Sequence, residues 1–66
     1  MRDAYFDSLS MRAHVVGSVV IAERDASGWG FWLLDKETRD GVWEDDNFST
    51  SLSELENKIS KLEEER

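Results

Sequence analysis

The run Trp29-Gly30-Phe31-Trp32-Leu33-Leu34 constrains this chain more than any other feature, because large apolar side chains stand at successive positions. Extended backbone sends neighbouring side chains to opposite sides, so such a segment is apolar on both faces and belongs in the middle of a sheet. Each face then needs a cover. The preceding Asp25-Ala26-Ser27-Gly28 is a turn signal, since Asp bonds backbone two residues on and Gly accepts positive φ. Upstream of it, Val19-Val20-Ile21-Ala22 is rich in β-branched residues and reads as the partner strand. Setting Arg24 opposite Trp29 across the turn places Ala22 opposite Phe31 and Val20 opposite Leu33.

Residues 8–15 alternate polar and apolar, with Leu9, Met11, Ala13 and Val15 on one side, which is the period of a half-buried strand. Tyr5, Leu9 and Ala13 also lie four apart, as a helix requires, but the twofold pattern is the cleaner one. Gly17-Ser18 then serves as a tight hairpin turn that sets Val16 across from Val19 and Arg12 across from Glu23. Asp40-Gly41 closes a further turn, and Val42-Trp43-Glu44 leaves it as a short edge strand.

The final segment is a helix. Ser51-Leu52-Ser53-Glu54 has the form of a capping box, and Leu52, Leu55, Ile59 and Leu62 make one apolar stripe. The expected fold class is therefore α+β, a small antiparallel sheet of three or four strands with one C-terminal amphipathic helix packed on one face. Strands are expected near 9–16, 19–24, 29–35 and 42–45, and the helix near 52–64. One small acidic domain spans 1–66, read as a free-standing chain. The helix is expected to cover the face holding Val20, Ala22, Phe31 and Leu33, with Phe48 sealing one end. A second face, with Val19, Ile21, Trp32 and Leu34, is left bare, and a patch of that kind marks an interface.

Charge and chemistry narrow the function. The 66 residues hold 15 acidic and 8 basic side chains, giving −7 at pH 7. Arg2, Arg12 and Arg24 balance Asp3, Asp7 and Glu23 within residues 1–24, so the whole excess lies in residues 25–66. Direct nucleic-acid binding through phosphates needs clustered Lys and Arg and is not expected. The longest wholly apolar runs are four residues, too short for a membrane span. There is no cysteine, and His14 is the single histidine, on the polar side of its strand with no neighbouring carboxylate to orient it. Catalytic residues, metal ligands and cofactors are accordingly assigned to none of the side chains. Glu44-Asp45-Asp46-Asn47 lacks the ligand spacing of a calcium loop, and the glycines form no phosphate-binding loop before a helix.

The reading that remains is a non-enzymatic, cytoplasmic protein-binding chain, an inhibitor or decoy that offers an acidic, aromatic-flanked surface to the basic, nucleic-acid-binding groove of a partner. In composition it is similar to small phage-encoded inhibitors such as anti-CRISPR and anti-restriction proteins, whose carboxylates occupy sites built for phosphates. The partner-binding residues expected are Ile21, Trp32, Leu34, Trp43, Glu44, Asp45 and Asp46. The alternative is a structural or assembly protein that forms a homodimer through the bare sheet face.

Overall fold

The computed structural model describes residues 3–65; Met1, Arg2 and Arg66 lie outside them. In chain order the elements are α1 (Ala4–Val15), β1 (Ser18–Asp25), β2 (Gly28–Asp35), β3 (Phe48–Ser49) and α2 (Leu52–Glu64). The strands form one antiparallel sheet in the order β1-β2-β3. Both helices lie on one side of it.

The first helix replaces the strand expected over 9–16. Asp3 is extended and its carboxylate accepts from the amides of Tyr5 at 2.9 Å and Phe6 at 3.3 Å, which starts a helix upstream of the alternating segment. Helical spacing then decides which apolar residues are used. Leu9 and Ala13 are buried with Phe6 against them, whereas Met11 and Val15, their companions in the twofold pattern, are 71% and 82% exposed. Gly17 has φ 83° and follows the last turn, where Val16 and Gly17 amides close on Ala13 and His14 carbonyls. It ends a helix and makes no hairpin turn. His14 accordingly stands exposed on a helix, and Arg12 faces α2 instead of pairing with Glu23.

The β1–β2 hairpin follows the expected register, with Val20 across from Leu33, Ala22 from Phe31 and Arg24 from Trp29. Its turn is held by the Asp25 carboxylate, which accepts from the Ser27 amide at 2.8 Å and hydroxyl at 2.7 Å. Gly28 takes φ 124°, open to glycine alone at little cost.

The strand expected over 42–45 is a loop. Gly41 makes an isolated bridge to β2, opposite Leu34, and the third strand forms at Phe48–Ser49, where Ser49 pairs with Phe31 and Phe48 with Trp32. Two local bonds consume the backbone that a strand at 42–45 would need. The Trp43 amide donates to Asn47 Oδ1 and the Asn47 side-chain amide donates to the Trp43 carbonyl, both at 2.9 Å. Phe48 therefore lies on the Trp32 face and does not seal the helical side.

The second helix starts at the Ser51 N-cap, whose hydroxyl accepts from the Glu54 amide at 3.2 Å. Glu54 reaches back one residue further than in a capping box, accepting from the Thr50 amide and hydroxyl at 3.1 Å each. Leu55, Ile59 and Leu62 are buried and join Leu9, Ala13, Phe31 and Leu33 in one core between helices and sheet. The helices are cross-linked on their outer side. Arg12 donates to Glu63 at 2.7 Å, to Glu56 at 3.1 Å and to the Ser60 hydroxyl at 3.1 Å, and the Tyr5 hydroxyl donates to Glu56.

Candidate protein-binding surface

Because both helices share one side, the other side of the sheet keeps its apolar residues without a covering layer among the described residues. Register places Val19 beside Leu34, Ile21 beside Trp32, and Trp32 beside Phe48. Ile21 is 40% exposed and Trp32 38%, while Val19, Leu34 and Phe48 are half-buried. The ring centroids of Trp32 and Phe48 lie 4.8 Å apart with planes inclined by 55°, a favourable aromatic pair. Gly30 makes room for it. A Cβ at that position would stand 2.2 Å from the Phe48 ring, so the bare backbone of the central strand is the floor on which Phe48 lies.

The acidic loop joins Gly41 to β3, and its side-chain contacts run to α2, Asp46 to Lys58 and Trp43 to Lys61 and Glu65. The Leu33 amide donates to the Asn47 carbonyl at 3.0 Å and the Val42 amide to the Leu33 carbonyl at 3.5 Å, which stitches both ends of the loop to β2. At its neck Gly41 faces the Asn47 side chain so closely that a Cβ would meet it at 2.3 Å. The loop is thus braced by one side-chain amide, and Glu44, Asp45 and Asp46 project into solvent. Asp46 has φ 63° and approaches Lys58 Nζ at 3.3 Å. That ammonium also donates to the Phe48 carbonyl, and it ties the loop, β3 and α2 together. Glu44 and Asp45 carry the charge that faces outward.

The residues expected to bind a partner therefore fall into three places. Ile21, Trp32 and Leu34 share the open sheet face, and Glu44, Asp45 and Asp46 share the loop between Gly41 and β3. Trp43 lies apart, half-buried against the core on the helical side, with its indole N–H donating to Glu65 at 3.4 Å and Lys61 Nζ 5.3 Å over its ring. Sequence reasoning missed Phe48 as a member of the open face and Gly30 as its seat; a glycine inside an aromatic central strand was the available signal.

Elsewhere the titrating groups serve the structure. Glu56 is held below the ordinary carboxylate range by the Tyr5 hydroxyl and by Arg12, and Glu63 by Arg12. The Thr50 amide and hydroxyl lower Glu54 likewise. Among the described residues no group of three or more His, Asp or Glu side chains could hold a metal ion, and no helix is long and apolar enough to cross a membrane. Comparison of the chain with protein-family models, curated proteins and solved structures finds no match.

Proposed function

We propose that this chain is a non-enzymatic inhibitor or decoy that acts in the cytoplasm by docking on a basic surface of a partner protein, in the manner of small phage-encoded anti-CRISPR or anti-restriction proteins. The observation that carries this reading is the uncovered apolar sheet face centred on Trp32; the same molecule presents Glu44 and Asp45 to solvent on a braced loop. Apolar contact supplies affinity, and the exposed carboxylates of the loop select a cationic partner and speed the encounter. Such binding weakens as salt rises.

Tagged wild-type chain should capture a basic partner at low salt and lose it at high salt. Combined Glu44→Gln, Asp45→Asn and Asp46→Asn substitution should remove the salt-sensitive part, and Trp32→Glu should abolish capture by placing a charge in the contact. Capture unaffected by either change refutes the reading. The uncovered apolar patch also favours a second reading, in which another copy of this chain occupies the face. In that case Trp32→Glu disrupts self-association in sedimentation experiments, while the loop substitutions leave it intact.

A further inference from the structure

The sheet has one long free edge. Its order β1-β2-β3 leaves the 8 residues of β1 paired on one side only, whereas β3 has 2 residues. The direction of the β1 backbone follows from its partner strand. The Leu33 amide donates to the Asn47 carbonyl and the Leu33 carbonyl accepts from the Val42 amide, both on the side of β2 away from β1, and the Asp35 amide turns the same way to the Asp40 carbonyl. In an antiparallel ladder the residue opposite turns away as well, so Val20, across from Leu33, points its N–H and C=O outward, and alternation extends this to Ala22 and Arg24. Among the described residues no backbone group bonds to those three on that side. Ala22 and Arg24 are exposed and Val20 half-buried, while Ser18 is fully buried, so the usable edge runs from Val20 to the turn. The devices that ordinarily blunt an edge are missing from Val19 to Ala22: there is no lysine or proline, and the register runs without a bulge.

We propose that this edge receives an extended, basic segment of the partner as an added strand, antiparallel because that pairing is the stronger per residue; the proposal rests on the reading that the partner is basic. Charge selects that occupant over a second copy of this chain. Glu23 is exposed, shares the open face with Ile21, and forms no ion pair among the described residues. A second β1 brought in so that all three outward residues pair would set Val20 against Arg24 and Ala22 against Ala22 of the other copy. It would also set Glu23 against Ile21, with the two Glu23 carboxylates on diagonal positions roughly 7–8 Å apart. Sliding that strand towards the tip puts Glu23 directly opposite Glu23, and sliding it the other way drives Arg24 against the buried Ser18. A lysine or arginine in the place facing Glu23 turns repulsion into attraction, and an apolar residue facing Ile21 lengthens the row of Ile21, Trp32 and Phe48. Along the incoming strand the order is basic, then a residue facing Ala22, then apolar. Main-chain bonds supply the affinity and the two flanking side chains the selection.

The test is titration of the isotope-labelled full chain, followed by nuclear magnetic resonance, with acetyl-Thr-Lys-Val-Ile-Thr-amide, whose lysine, valine and isoleucine face Glu23, Ala22 and Ile21 in this register. The amides of Val20, Ala22 and Arg24 should move downfield, while those of Ile21 and Glu23, already bonded to β2, hold nearly still. Methylating the nitrogen of the peptide's valine, whose N–H meets Ala22, should abolish binding, and methylating that of its isoleucine, whose N–H points away, should leave it. Exchanging the peptide's lysine for glutamate should weaken binding about fivefold or more, and Glu23→Gln should remove that preference. Equal effects of the two methylations, or shifts confined to Trp32 and its neighbours, would overturn the added strand; equal binding of the lysine and glutamate peptides would overturn its charge. The same alternating shifts on concentrating the chain alone would give the edge to a second copy and likewise overturn the proposal. The combined Glu44, Asp45 and Asp46 variant separates this proposal from the function above: it should bind the pentapeptide as wild type does, even if capture of a partner fails. A wild-type chain that captures a basic partner but ignores the peptide keeps that function and loses the added strand.

Discussion

At single positions, three small residues show how much depends on what one side chain meets. Gly30 gives Phe48 its place over the central strand, and Gly30→Val should push the ring off Trp32. The expected cost is about 1–3 kcal/mol in urea unfolding, with loss of the near-ultraviolet circular dichroism of the Trp32–Phe48 pair; an unchanged spectrum would mean the ring sits elsewhere. Ser49 and Ser51 should respond differently to the same substitution. The Ser49 hydroxyl is buried without a hydrogen-bond partner, whereas that of Ser51 caps α2. Ser49→Ala should leave stability unchanged or raise it by up to ~1 kcal/mol, and Ser51→Ala should lower it by about 0.5–2 kcal/mol. Different expectations for residues two apart make denaturation of the pair a sharp check on the register of β3 and the start of α2.

Among the elements, the two most local signals were legible in the sequence, and the two that depended on competition were not. The β1–β2 register follows from one turn and an apolar run, and α2 from its cap and stripe. Residues 8–15 satisfy a twofold and a fourfold pattern at once. The choice between them was made outside that window, by the Asp3 cap and by a core that takes Leu9 and Ala13 together with Phe6. Val42-Trp43-Glu44 lost to Phe48–Ser49 because the Asn47 side chain closes on Trp43, a contact that no periodicity reports. The α1–α2 cross-link also has a pH signature. Tyr5 and Arg12 hold Glu56 below its ordinary value of 4.5, and Arg12 does so for Glu63. Folded carboxylates that bind protons less readily than unfolded ones contribute stability above that value and lose it as pH falls through their lowered values. Arg12→Gln should therefore flatten the decline in stability below pH 4.5 relative to wild type, measured by urea unfolding at a series of pH values. Parallel declines would show that the cross-link adds no proton linkage.

For the whole molecule, the position of α1 matters most. A second helix could have covered the second face of the sheet; instead it packs beside α2, enlarges one core and leaves Val19, Ile21, Trp32, Leu34 and Phe48 on the outside. The uncovered face was legible from the apolar pattern of the central strand, independently of whether residues 9–16 were strand or helix. The acidic loop was legible as charge but not as a braced structure. The same arrangement separates Trp43 from Trp32, so that the three tryptophans report on different places: Trp29 on the hairpin turn, Trp43 on the α2 end, Trp32 on the open face.

That separation permits one decisive measurement. With Trp29→Phe and Trp43→Phe, the remaining indole is Trp32, and its quenching by acrylamide can be followed at a dilution where sedimentation shows the monomer. An open face predicts efficient quenching of the isolated monomer, falling when a basic partner or a second copy binds. A monomer in which Trp32 is as protected as a core indole would contradict the uncovered face, and with it the binding function proposed for it.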